Sequence, residues 1–244
     1  MNKSNRRSVL RTIGQSALAG GALVAGGLAP ARADAAERAT TQTAQSQAAM
    51  TPARALQLLK AGNERFAESR MFDHDLPFER RATAAGQYPL AAIVGCIDSR
   101  ASNELIFDQS IGDIFSTRVA GNYIDEGVLG GLEFACVLSG AKLILVVGHN
   151  DCGAVRGACD DVMLGNLTRT LDNIRPAVAA VDGFQSDRSS ANPDFVQAVA
   201  EENVMLSMER IRTNSPLLRA MELNGEIGLQ GGMYDLASGR VTFL

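Results

Sequence analysis

Two unbroken apolar runs constrain this chain more than any other feature: PLAAIVGC at 89–96 and KLILVVGH at 142–149. A strand with one face in water alternates apolar and polar residues, so a strand apolar throughout its interior must be covered on both faces. Helical stretches fill the intervals. TPARALQLLKAGNERFAES opens with Thr51 as a cap and Pro52 in the first helical position, and Leu56, Leu59 and Phe66 share a stripe. DIFSTRVAG (113–121) reads as a further strand, 127–139 as a helix closed by Gly140, and DCGAVRGAC as the start of another helix. Residues 161–181 and 194–213 read as two longer helices. EIGLQGGMYDL and GRVTFL read as a last strand and its hairpin partner around Ala237-Ser238-Gly239. The fold predicted is α/β: a mainly parallel central β-sheet flanked by helices, with a C-terminal β-hairpin and an N-terminal helical arm.

Both apolar runs end in glycine followed by a residue that can bind a metal. After Cys96 come Asp98 and Arg100. In an extended chain alternate residues share a face, which predicts these three on one edge, with Ile97 and Ser99 turned into packing. After His149 comes Cys152, at a helix start, where the helix N-terminus favours a thiolate. Ligands of open α/β sheets collect beyond the carboxyl ends of the strands. If the two strands are neighbours, Cys96, His149 and Cys152 converge there. Two thiolates and an imidazole are a ligand set for catalytic zinc, with a fourth position left for water. Asp98 can fill that position in a closed state, or pair with Arg100 and accept a hydrogen bond from the water. As a plain surface ion pair, Asp98 and Arg100 would be worth at most ~1 kcal/mol.

The other reactive groups read differently. Of the four cysteines, Cys136 lies beside Phe134, Val137 and Leu138 and is expected in the core, and Cys159 is expected as a packed thiol. Of the two histidines, the second is His74 in FDHDLP, expected as a loop residue and considered as a proton shuttle.

Residues 1–33 hold five basic residues (Lys3, Arg6, Arg7, Arg11, Arg32), no acidic ones, an uncharged stretch from Thr12 to Pro30, and Ala31-Arg32-Ala33. That order is a signal peptide, and the paired Arg6-Arg7 resembles the bacterial twin-arginine export signal. Cleavage near Ala33 and a periplasmic location are expected, with no stable membrane span afterwards. Residues 34–50 are small and polar and read as a flexible linker, leaving one domain over 51–244. The leader takes five of the 23 basic residues and none of the 27 acidic ones, so the remainder is distinctly acidic. No basic cluster is left to follow a phosphate backbone, and nucleic acid is not an expected partner.

CIDSR followed by GHNDCGA resembles the β-class carbonic anhydrases, whose signature is C-x-D-x-R and, further along, H-x-x-C-G. LLKAGNERF (58–66), AAGQYP (84–89), ELIFDQSIGDIFSTRVAGN (104–122) and GGMYDLASGRV are also similar to that family. The resemblance implies one zinc per subunit on Cys96, His149 and Cys152, with Asp98 and Arg100 as a catalytic dyad. It implies that Gln87 donates a hydrogen bond to substrate, that Phe115 helps wall the carbon dioxide pocket, and that the backbone at Gly153 approaches the site. It implies reversible hydration of carbon dioxide to bicarbonate, in a homodimer or larger homo-oligomer with its sites at subunit interfaces. Ala101-Ser102-Asn103 departs from the Val then Pro common at that point. The chain has no tryptophan, and Ile93 stands where some members carry one in a regulatory bicarbonate pocket, although Arg118 matches an arginine near it. Two alternatives stand beside hydration: hydrolysis of carbon disulfide or carbonyl sulfide on the same scaffold, and a non-catalytic zinc-stabilised binding protein.

Overall fold

The computed structural model describes residues 37–244; the leader expected at 1–33 lies outside the described residues. Among the described residues the sheet has five strands, β1 (Ala91–Cys96), β2 (Ile114–Val119), β3 (Leu143–His149), β4 (Gly228–Tyr234) and β5 (Val241–Phe243), in the order β2-β1-β3-β4-β5. All neighbours are parallel except the β4–β5 hairpin. The two apolar runs are therefore adjacent, paired from Ala91 opposite Leu143 to Val94 opposite Val146.

Every residue of β1 and β3 is buried, because helices cover both faces. Ala92, Val94, Ile144 and Val146 point into one core, and Ala91, Ile93, Leu143, Leu145 and Val147 into the other. Truncating a fully buried side chain such as Leu145 to alanine would cost about 2–5 kcal/mol.

The helices are α1 (Ala44–Ala48), α2 (Pro52–Ala67), α3 (Leu76–Thr83), α4 (Asn103–Ile106), α5 (Glu126–Glu133), α6 (Gly153–Cys159), α7 (Gly165–Asp172), α8 (Arg175–Ala180), α9 (Pro193–Asn214) and α10 (Pro216–Leu223). The Thr51 hydroxyl accepts the Arg54 N–H at 3.2 Å, and Pro52 leads α2, whose Ala55 and Leu59 enter the second core. Asn192 caps α9, whose Phe195, Val199 and Val204 fill the first core.

Three stretches differ from expectation. Residues 34–50 do not read as a flexible linker over their described part. Ala39 is buried, Thr43 and Ser46 form a capping box on α1, and Gln47 Nε2 donates to the carbonyls of Pro89 and Ser139, both at 2.8 Å. The helix expected over 161–181 is two, α7 and α8. Pro176, in the first turn of α8, has no N–H to continue the ladder from α7, so the chain turns at residues 173–174 and restarts as α8. The helix expected over 127–139 loosens into a π-helical turn, Phe134–Leu138, before Gly140 at φ +79° ends it.

Candidate metal centre

The two apolar strands end side by side, and each releases its ligand at the last residue: Cys96 closes β1 and His149 closes β3. Cys152 is the N-cap residue of α6. One sulfur of each cysteine and one ring nitrogen of His149 lie within 4.8 Å of one another, all buried, and the two sulfurs are 3.9 Å apart. His149 Nδ1 lies 2.8 Å from the carbonyl oxygen of Asn150. That oxygen only accepts, so Nδ1 carries the proton and Nε2 keeps its lone pair. Nε2 is buried and has no hydrogen-bond partner among the described residues. A buried polar atom left without a partner is costly, and here it shares a pocket with two thiols. This is a soft donor set of the kind that suits zinc.

The surroundings favour the thiolate form of Cys96. The Cys152 S–H and the Gly121 N–H, 3.3 Å from Cys96 Sγ, pull the Cys96 thiol below its usual range, while Cys152 is pushed up by the thiolate beside it and by burial. A metal held by both residues would displace their protons. Gly121 sits at φ +85°, and a Cβ there would meet Ile174 Cδ1 at 2.4 Å, so only glycine brings this N–H to the sulfur. Asn203 Nδ2, donating to the Gly121 carbonyl at 2.8 Å, holds the turn from α9.

Asp98 and Arg100 are together, though not by strand alternation. β1 ends at Cys96 and the chain turns over residues 99–100. Asp98 Oδ1 accepts the Arg100 backbone N–H at 2.9 Å, and the guanidinium binds both carboxylate oxygens, from Nε to Oδ1 at 2.9 Å and from Nη2 to Oδ2 at 2.8 Å. That grip holds the Asp98 carboxyl far below the usual carboxylate range. Asp98 Oδ2 is 3.9 Å from His149 Nε2, so the carboxylate stands beside the ligand cluster while paired to Arg100. Ile97, expected in packing, is 58% exposed, because the alternation lapses where the strand stops. Arg118 holds the same loop from β2: Nε donates to the Cys96 carbonyl at 2.8 Å and Nη2 to that of Asp98.

Gly153 begins α6 beside Cys152, and a Cβ built on it meets nothing within 4 Å. Gln87 and Phe115 lie elsewhere. Phe115 pairs with Ala92, four residues before the Cys96–Val119 pair, or about 13 Å along the strand. Gln87 precedes β1 near Gly112, at the same amino end of the sheet. The subunit thus does not bring either to its own cluster. Phe115 packs edge-on against Phe134 with centroids 5.9 Å apart, and Phe134 is itself exposed. His74 is also engaged remotely, with Nδ1 2.9 Å from Glu79 Oε1 and Nε2 2.8 Å from Asp108 Oδ1. Cys136 and Cys159 are packed thiols, which burial pushes up to about 12 and about 11. Sequence reasoning missed Asn150 and Asn203. A signal for the first was there, an amide directly after the histidine; the second is an unremarkable helix residue.

The chain has clear relatives. A family model described as carbonic anhydrase matches residues 91–241. Carbonic anhydrase 2 of Mycobacterium tuberculosis is 37% identical over 197 residues, covering 78% of this chain and 92% of the relative. A carbonic anhydrase of Pseudomonas aeruginosa is 30% identical over 170 residues, covering 67% and 77%. Among solved structures, a β-carbonic anhydrase of Aspergillus fumigatus aligns with a TM-score of 0.59 at 28% identity, over 69% of this chain and 81% of its own. One of two tetrameric β-carbonic anhydrases of Sordaria macrospora aligns with a TM-score of 0.58 at 23% identity, over 69% and 90%, a likeness of fold.

Proposed function

The chain belongs to the β-class carbonic anhydrases, and on that premise we propose that it catalyses the reversible hydration of carbon dioxide to bicarbonate and a proton, with one zinc per subunit held by Cys96, His149 and Cys152. The observation that carries this reading is the partnerless Nε2 of His149 facing two sulfurs, with an ionised carboxylate alongside. Zinc in such a site supplies Lewis acidity, which brings the pKa of water near neutrality.

The chain's own residues do the rest. Asp98, kept ionised by Arg100, is a hydrogen-bond acceptor that orients the attacking water and does not take its proton at neutral pH. Arg118 keeps the Cys96–Asp98 segment fixed while Arg100 aims the carboxylate. The open space at Gly153 admits substrate against the start of α6. Gln87 and Phe115 serve a site from a second copy, which makes the protein a homodimer or larger assembly; the tetramers of the Sordaria macrospora proteins and the exposed Phe134 ring against Phe115 support this. A purely structural zinc would be closed by a fourth cysteine or histidine, and here the neighbour is an Arg-paired carboxylate. The leader-like residues 1–33 support action in the periplasm.

Stopped-flow carbon dioxide hydration by the wild type and Asp98→Asn, with zinc measured on both, tests the reading. Hydration by the wild type and a sharp loss in the zinc-replete variant is expected. Full zinc with no hydration in the wild type overturns it.

A further inference from the structure

We infer that Asn150 is a positioning residue that fixes the ring and tautomer of His149 by tying it to the C-terminal hairpin; this rests on the zinc reading above. A histidine ligand needs its metal-facing nitrogen unprotonated and aimed, and the partner of the other nitrogen sets both. For His149 that partner is the Asn150 carbonyl, which belongs to the 150–151 peptide. A loop carbonyl one residue away can hold a ring only if its own peptide is held.

Asn150 is held at three points, on the last residue of β4 and on the turn that follows it. Its N–H donates to the Tyr234 carbonyl at 3.2 Å, continuing the β3–β4 pairing one residue past the His149–Tyr234 pair. Its Nδ2 donates to Asp235 Oδ2 at 2.7 Å, and its Oδ1 accepts the Leu236 N–H at 2.9 Å. Asp235 is pinned in turn: its Oδ1 accepts the Ser238 N–H at 2.7 Å and its N–H donates to the Arg240 carbonyl at 2.8 Å. Directly afterwards Asp151 takes φ +51°, so the chain bends away and offers the 150–151 peptide no strand support of its own. The side chain at 150 must donate and accept at once within a short reach. A carboxylate would face Asp235, and a methyl would do neither.

Four forms of the zinc-loaded chain test this: wild type, Asn150→Ala, Asn150→Asp, and the reciprocal pair Asn150→Asp with Asp235→Asn. Two readouts apply, the rate of zinc release to a chelator and the solvent protection of the His149 Nδ1–H by nitrogen-15 NMR, which two histidines keep uncrowded. Zinc release is expected to rise about 10–100-fold in Asn150→Ala and further in Asn150→Asp. It should return toward wild type in the reciprocal pair, which re-forms the bond with donor and acceptor exchanged. Protection of the Nδ1–H should follow the same order, a pattern that general loosening of the hairpin would not produce. Unchanged release and protection in both single variants overturns the inference and leaves the zinc reading standing. A wild type that takes up no zinc overturns the zinc reading instead, and the Nδ1–H protection, measured without metal, still decides the role of Asn150.

Discussion

At the carboxyl end of the sheet one chain gathers a candidate metal site: three potential ligand atoms within 4.8 Å, a fixed histidine tautomer and an oriented carboxylate. At the amino end the same chain offers Gln87 and a half-buried Phe115, far along the strands from the ligand cluster, and a separate buried polar network lies elsewhere in the chain. In that network His74 bridges Glu79 and Asp108, Asp108 also pairs with Arg65 at 2.5 Å, and Asp113 accepts the Gln42 N–H at 2.7 Å. The difference follows from tolerance. Metal ligation demands placement that strands, glycine turns and second partners within one subunit can give. Contacts to a small substrate can be completed when one rigid surface docks on another.

The largest effect should come from breaking the self-contained end. Cys152→Ser is expected to lose zinc and hydration together, read by metal analysis and stopped flow; retained zinc would mean the ligand set lies elsewhere. Asp98→Asn should keep zinc and lose about 10²–10⁴-fold in kcat/KM. A smaller effect is expected at the other end: Gln87→Ala should lower kcat/KM about 10–100-fold through one missing hydrogen bond to a charged species, with zinc intact. Mixing Gln87→Ala with Cys152→Ser under subunit exchange should then recover activity, since a zinc end and a Gln87 end meet across copies. Failure to recover would remove Gln87 from any shared site.

The smallest effect concerns the network. Burial alone would lower the His74 pKa, but the Asp108 and Glu79 carboxylates outweigh it and leave it raised. Its contribution to stability is therefore full below about pH 6.5 and fades as pH rises through the raised value. Asp113, pushed up to about 7 by burial, acts in the same direction over a lower range, its contribution complete below about 3.9 and gone above about 7. Thermal unfolding of wild type and His74→Gln across pH 6 to 9 should show their Tm values converging as pH rises. A constant gap would mean that His74 contributes packing and no charge.

The strand exits were legible because burial on both faces tolerates no polar residue inside a strand, and because one of two histidines follows such a run. Their adjacency was a conditional that the β1–β3 pairing fulfils. The distance of Gln87 and Phe115 from the cluster was not legible, since it depends on parallel register, which no local pattern encodes. The ordering of residues 38–50 escaped for another reason. Gln42 and Gln47 make specific long-range hydrogen bonds from a composition that reads as disordered. Strand alternation correctly grouped Cys96, Asp98 and Arg100, but by the wrong mechanism, because a turn and not an extended edge brings Arg100 back to Asp98.

The 3.9 Å between the two sulfurs also bears on how the protein ages. A disulfide needs its sulfurs at about 2.05 Å, so a small approach is all that separates a metal-free pair from a disulfide that takes both ligands away, wherever a two-electron oxidant is at hand, until a reductant restores them. Zinc on both thiolates would close that route. The useful lifetime of a molecule in an oxidising compartment would then be counted by the residence time of its metal, well before the sheet beneath it unfolds.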